Sequence, residues 1–328
     1  MIKEDYTMYD YQTFEEKRMH TVSFINQVIE NGHASEMILV TEAIQEKELA
    51  KIAEEIAANP DIKIVLIAGP SSSGKTSTSK RLCIQLMACH KHPVALSTDN
   101  WFVNREDTPL DDDGKPDFET IKAMDLERFN QDLNDIICGR SVLLPTFNFI
   151  TGKKEYNGHR LQLTPDMILV IEGIHALNPI MTESVNDACK YKIFAAPMSP
   201  LSLDGEHWIP TSVNRLLRRI SRDYKTRGKS AQETNSGCDS VRRGEEKRII
   251  PNKDQADACF DTSMLYELAA LKPLVDPVLH EVHIDSPEYD TVCKLLNFLS
   301  VFKSINIDQI PRNSLMREFV GGSFFDVG

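Results

Sequence analysis

A chain of 328 residues has room for one large α/β domain with appendages, or for two domains of about 150 residues each. Its content of 41% hydrophobic and 26% charged residues excludes wholesale disorder. A net charge of -12 makes a poor field for holding nucleic acid through its phosphates. The continuous apolar runs, such as residues 167–171, are far shorter than the roughly 18 residues a bilayer span needs. Seven scattered cysteines, without a C-x-x-C pair, suit reduced thiols better than a disulfide framework or a zinc site. The polar start Met-Ile-Lys-Glu-Asp-Tyr has no apolar secretory core. These features predict a cytoplasmic protein with no nucleic-acid or membrane partner, and they leave a homo-oligomer open.

Residues 41–58 carry apolar positions at helical spacing and end at Asn59-Pro60, which predicts an amphipathic helix. Residues 62–68 read as a strand buried on both faces. A Gly/Ser loop and a helix over 75–89 follow. Residues 93–97 form a second short strand, and 101–118 a loop carrying Pro109, Gly114 and Pro116. A helix is predicted over 125–138 from Leu126, Phe129, Leu133 and Ile136. Residues 141–163 read as a β-hairpin region turning at Asn157-Gly158. Strands at 167–171 and 191–195, an arginine-rich helix at 211–224, and helices at 264–271 and 289–302 complete the pattern. The segment after Asp308 shows no usable periodicity. Short buried strands alternating with helices predict an α/β fold: a mostly parallel sheet covered by helices on both faces.

Gly69-Pro70-Ser71-Ser72-Ser73-Gly74-Lys75-Thr76 fits G-x-x-x-x-G-K-[ST] at every position, with a strand before it and a helix after it. Such a loop turns backbone N–H groups inward around phosphate oxygens, and the helix start adds its positive dipole end. Lys75 can reach the β- and γ-phosphates, and the Thr76 hydroxyl can ligate Mg²⁺. A plain Gly/Ser linker would not need this order of strand, loop and helix. The signal points to a nucleoside triphosphate without saying what is done with it.

Ligands of an open parallel sheet collect at the carboxyl ends of its strands. Asp99 and Glu172 both follow apolar strands there. Asp99 is a candidate base for an attacking hydroxyl, and Glu172 a candidate on the magnesium side; helix capping is the plainer role for either. Arg215, Arg218, Arg219, Arg222, Lys225, Arg227 and Lys229 are the one concentrated basic run, and helical spacing puts Arg215, Arg218 or Arg219, and Arg222 on one face. In an acidic chain such a face suits the spread charge of a transferring phosphoryl group. Phe147 and Phe149, two apart on a strand, would share a side and could wall a slot for a flat ligand. Asp111-Asp112-Asp113-Gly114 fails the calcium-loop spacing and reads as a solvated turn, and His175 reads as a capping or packing residue.

The ordered set Gly69–Thr76, Ser97-Thr98-Asp99-Asn100-Trp101-Phe102, Pro145-Thr146-Phe147-Asn148-Phe149, Ile171-Glu172-Gly173 and the run from Arg215 to Asp223 resembles the uridine kinase and phosphoribulokinase group. Ser240-Val-Arg-Arg-Gly-Glu-Glu246 and the tail from Ile310 to Gly322 resemble its microbial nucleoside kinase branch. The resemblance implies ATP-dependent phosphorylation, with Mg²⁺, of the 5′-hydroxyl of uridine or cytidine. It assigns catalysis to Asp99 with Lys75, Arg218 and Arg222, and donor binding to residues 69–76 (Gly69, Pro70, Ser71, Ser72, Ser73, Gly74, Lys75 and Thr76) and Arg227. It assigns the acceptor to Phe102, Phe118, Glu119, Phe147, Phe149 and Arg215, and the metal to Thr76 and Glu172. Phe102 stands where compact members carry a tyrosine, and the hairpin histidine that touches the base falls at or near Gly152. Longer members have an N-terminal region resembling part of threonyl-tRNA synthetase, of which the segment before Thr41 is the expected remnant. The expected organisation is a helical appendage over 1–60, a nucleoside kinase domain with a hairpin and an arginine-rich lid over 61–305, and a tail over 306–328 on or near it. Two other readings remain: a kinase of the same fold for another alcohol, such as a sugar phosphate or pantothenate, and a nucleotide-dependent regulatory protein without transfer activity.

Overall fold

The structure is a computed structural model that describes residues 21–111, 114–198 and 201–327, so Asp112 and Asp113 of the acidic turn lie outside the described residues. It opens with α1 (Val22–Glu30), α2 (Ala34–Ala58), β1 (Ile64–Ala68), α3 (Lys75–Ala88), β2 (His92–Ser97) and α4 (Leu126–Ile137). Four short strands follow, β3 (Val142–Leu143), β4 (Thr146–Asn148), β5 (Lys153–Glu155) and β6 (Arg160–Leu161), and then β7 (Met167–Glu172) and β8 (Lys190–Ala196). The rest is α5 (Thr211–Thr226), α6 (Ala231–Ser236), α7 (Cys238–Arg248), β9 (Ala258–Asp261), α8 (Glu267–His280), α9 (Tyr289–Ser300) and the short α10 (Arg317–Val320). Among the described residues no helix is long and apolar enough to cross a membrane.

The central sheet has the order β2-β7-β1-β8-β9, and every neighbouring pair is parallel. β1 lies in the middle with both edges paired, and all five of its residues are buried. That placement explains its unbroken apolar run, because neither face meets water. Successive side chains point to opposite faces. Ile64, Leu66 and Ala68 meet Phe129, Leu133 and Ile136 of α4, whereas Val65 and Ile67 meet Leu49, Ile52 and Ile56 of α2 and Leu82 and Leu86 of α3. Each large apolar side chain buried in this way contributes roughly 1.5–3 kcal/mol.

The helical N-terminal region is thus fastened to the sheet. α2 starts at Ala34, ahead of the predicted 41–58, because Met37 and Ile38 pack in a second, helical core. That core joins α1 to Leu217 and Ile220 of α5, to α8 and α9, and to Leu315, Met316 and Phe319 near the C-terminus. α8 runs on to His280 through Pro273 and Pro277, past the predicted end at 271. Burial of Val275, Val278 and Leu279 offsets the amide bonds those prolines remove.

The hairpin region closes at a different turn from the one predicted. β4 pairs with β5, with Asn148 opposite Lys153, so the connection is residues 149–152. Asn148 Oδ1 accepts from the N–H groups of Ile150 and Thr151, and Gly152 supplies the left-handed φ of 68°. Asn157-Gly158 instead lies on the way to β6, which pairs with β3 in a second antiparallel ribbon.

One arginine of the basic run belongs to this architecture. Arg218 is fully buried, ion-paired with Glu267 of α8, donates to the Thr262 carbonyl at 2.8 Å and lies over the Phe319 ring at 5.1 Å. It shares its helix face with Asn214 and Ser221, which also turn inward. The catalytic role expected of Arg218 is therefore replaced by a structural one: the core has already taken its charge.

Ile56→Ala is expected to destabilise the protein by about 2–5 kcal/mol, read from the urea midpoint, as a deleted side chain in a close-packed core does; a loosely attached helix would leave the midpoint unchanged. Arg218→Ala strands the Glu267 carboxylate in the interior and is expected to cost about 3–5 kcal/mol in the same measurement.

Candidate active site

β1 delivers the chain into the phosphate loop at the carboxyl end of the sheet. The loop hugs the sheet so closely that a Cβ on Gly69 would sit 1.9 Å from the Ala195 carbonyl oxygen. Gly74 closes the loop at φ 86°, and α3 begins at Lys75 with no side-chain cap from Gly74. The helix start is therefore not capped by the loop itself; of its first-turn N–H groups, that of Ser77 donates to the Glu318 carboxylate at 3.2 Å. Lys75 folds back over the loop, its ammonium 3.0 Å from the Pro70 carbonyl. The hydroxyls of Ser72 and Ser73 are buried with no hydrogen-bond partner. Unpartnered buried donors around a nest of amides are what a phosphate group would satisfy.

Asp99 and Glu172 are brought together by the sheet. β2 and β7 are paired so that Ser97 stands opposite Glu172, and Asp99 follows two residues later in a 3₁₀ turn. Glu172 accepts from the Thr76 hydroxyl at 3.2 Å. Burial, and then the neighbouring charge of Asp99, push its carboxyl up to about 7, against the pull of Lys75. A cation between these groups would relieve that strain, so Thr76 and Glu172 fit a magnesium ion.

Ser71 through Thr76, Asp99, Glu172, Arg222 and Arg227 line one cavity. Part of its lining is aromatic. Phe102 meets Phe147 edge-to-face at 5.8 Å between centroids, and Phe147 meets Phe149 at 5.2 Å. Phe149 lies in the closing turn just past β4 and not on the strand as expected, yet its ring still meets Phe147, and Arg227 covers it at 4.3 Å. Phe118 is half exposed at the same cavity, and Glu119 is buried there. Burial, and then the charge of Glu245, push Glu119 up to about 7, and its Oε2 has no hydrogen-bond partner. The loop carrying it is fastened by the Asp117–Arg248 ion pair at 2.7 Å, and α7 approaches at Gly244, where a Cβ would sit 2.5 Å from that of Glu119.

The arginines are ordered by one buried carboxylate. Asp223 takes Arg222 at 2.8 Å, Arg219 at 3.6 Å and Arg227 at 3.7 Å. Burial opposes its charge, but the three guanidinium groups hold its carboxyl below the ordinary range. Arg222, Arg227 and also Arg219 and Lys229 reach the cavity from this hub. Arg215 does not: it donates to Glu245 at 2.7 Å and to the Ser71 carbonyl at 3.3 Å, and lines a neighbouring cavity. Gly69 and Pro70 lie at the base of the loop, outside the lining.

Of the two arginines the helical spacing left open, Arg219 and not Arg218 lines the cavity, and Lys229 of the basic run joins it; further lining residues were not singled out from the sequence. Arg105 reaches the site because its backbone N–H donates to Gly152 and its guanidinium to the Phe149 carbonyl at 2.6 Å. Glu318 and Val327 arrive from the C-terminal segment. No local pattern marks these three.

Among families of known proteins, residues 64–266 match the Phosphoribulokinase / Uridine kinase family. A uridine kinase of Ligilactobacillus salivarius (strain UCC118) is 28% identical over 204 residues, which are 61% of this chain and 86% of that relative. A uridine kinase of Staphylococcus aureus (strain Newman) is 26% identical over 196 residues, 59% of this chain and 84% of the relative. Among solved structures, a putative fructose transport system kinase from Silicibacter sp. TM1040 aligns with TM-score 0.44 and 17% identity, covering 64% of this chain and 98% of that one. A possible uridine kinase from Bacillus stearothermophilus aligns with TM-score 0.39 and 18% identity, covering 61% and 89%. With its family match spanning the sheet from β1 past β9 and the whole arginine helix, the chain is a kinase of the phosphoribulokinase/uridine kinase family.

Proposed function

We propose that this kinase transfers the γ-phosphoryl group of ATP to the 5′-hydroxyl of a pyrimidine nucleoside, uridine or cytidine. The observation that carries the reading is that Asp99, the packed rings of Phe102, Phe147 and Phe149, and the phosphate loop all line one cavity. A flat base suits edge-to-face phenyl rings. The unpartnered Glu119 carboxyl suits ribose hydroxyls, and Asp99 lies at the strand end where the sugar's reacting hydroxyl would meet the donor. The relatives named as uridine kinases agree with this acceptor.

In this mechanism Asp99 orients the acceptor hydroxyl and takes its proton as the oxygen attacks in line. The amides of Ser72 and of residues 74–76, with the Lys75 ammonium, hold the phosphate oxygens, while the Ser71 N–H is taken by Glu245 at 2.8 Å and the Ser73 N–H by the Pro70 carbonyl at 3.2 Å. Arg222 and Arg219 face the charge that spreads over the transferring group, already aimed by Asp223, so little reorganisation is needed at the moment of transfer. Magnesium, held by Thr76 and Glu172, would neutralise charge on the β- and γ-oxygens. The arginine helix and the 149–152 turn, joined by Arg227 over Phe149, shield the acceptor from water that would otherwise be phosphorylated in its place.

A second reading has one observation in its favour. Arg105 and Lys229 line the cavity beside the aromatic wall, and an acceptor with its own phosphate or carboxylate would use them.

A coupled ADP-release assay decides between the two. Release dependent on uridine or cytidine, with the monophosphate identified by mass, is expected. Release with ribulose 5-phosphate or pantothenate alone would establish the second reading, and none with any acceptor despite ATP binding would leave the nucleotide-dependent regulatory role. Asp99→Asn is expected to bind ATP as the parent does and to lower turnover by ~10² or more; undiminished turnover would remove Asp99 from the mechanism.

A further inference from the structure

The family match ends at residue 266, yet the cavity wall is completed by residues some fifty positions later. Glu318, on α10, lines the cavity while its Oε2 accepts from the Ser77 N–H at 3.2 Å and from the Ser77 hydroxyl at 2.7 Å. Ser77 is the third residue of α3, so its N–H is one of the free amides at the helix start. A glycine-rich loop and the helix start after it cradle the α- and β-phosphates of a bound nucleotide. In this structure a carboxylate already occupies one of those donors. The two bonds from Ser77 tie the Glu318 carboxylate to the start of α3, where the helix dipole favours an anion.

We propose that Glu318 is a donor-site residue whose carboxylate holds Ser77 while the site is empty and is displaced when the triphosphate takes that helix start. This rests on the nucleotide-donor reading above. One amide hydrogen cannot serve two anions at full strength, and two negative groups at one helix start repel. The backbone beneath Glu318 is fixed. Leu315 packs against Gly74, where a Cβ would come within 2.8 Å of it, and the Phe319 and Val320 carbonyls accept from Ser221 and Lys225 of α5, each at 2.8 Å. The side chain therefore yields by rotation while the segment stays anchored to the phosphate loop and to the arginine helix. The C-terminal segment thereby sets donor affinity: the free enzyme is held together by an anion that the donor must replace.

Isothermal titration of Mg·ATP into the wild-type, Glu318→Gln and Glu318→Ala proteins tests this, with the melting temperature of each nucleotide-free protein measured alongside. Opposite signs are expected: both variants melt lower without nucleotide, yet bind Mg·ATP about tenfold more tightly. Equal or weaker binding by a folded variant would overturn the proposal and make Glu318 a simple brace. Should neither variant fold, Ser77→Ala decides: it removes the hydroxyl that holds the Glu318 carboxylate at 2.7 Å and keeps the amide, so it is expected to bind Mg·ATP more tightly than the wild type, and equal or weaker binding would overturn the proposal. Absence of Mg·ATP binding by the wild-type protein would instead refute the donor reading, and this proposal with it.

Discussion

The site depends on the burial of one five-residue strand. β1 is paired on both edges and covered on both faces, so the direction in which it delivers the chain has almost no freedom. The loop after it turns at once against the Ala195 carbonyl, an approach that only a residue without a side chain permits. Everything that could hold a polyphosphate hangs from that point: the loop amides, the folded-back Lys75 and the start of α3, where the loop itself supplies no cap. A phosphate site made of backbone dipoles works only if the dipoles stay in place when the ligand is absent, and the sheet supplies that rigidity.

Around this fixed end the chain collects charges that would be unstable if scattered. Glu119 and Glu172 are each pushed to about 7 by burial and by nearby carboxylates, while Asp223 stays ionised because three arginines surround it. Glu119 and Glu172, both at the cavity, are the acids that burial penalises, and the acid that organises the arginines is the satisfied one. A cavity of this kind is preorganised on its cationic side and left unbalanced on its anionic side, where metal and acceptor hydroxyls would settle the account.

Much of this was legible in the residues themselves. The phosphate loop announces itself because every position of its motif has a local steric or hydrogen-bonding job, and the strand before it because burial on both faces demands an unbroken apolar run. Asp99 and Glu172 could be found because they end such runs. The hairpin turn was misplaced because Asn157-Gly158 is the stronger local turn signal. The chain instead turns at 149–152, where the Asn148 side chain caps two amides and Gly152 gives way to Arg105. Arg218 was misplaced for a related reason. Helical spacing shows which residues share a face, but not whether that face meets a cavity or the Glu267 carboxylate of another helix.

What the sequence by itself determined, then, is whatever is encoded within about a dozen residues: the strands, most of the helices, the phosphate loop, the acids at strand ends and the basic run. Only the tertiary structure decided how those pieces share neighbours. It turned Arg215 into a neighbouring cavity, sealed Arg218 in the helical core, drew Arg105 in through a backbone contact and laid Glu318 on Ser77 across 241 residues of chain. Such pairings leave no periodic trace, because they depend on the packing of helices α5, α8 and α10 against one another, and that packing is set by the whole core at once.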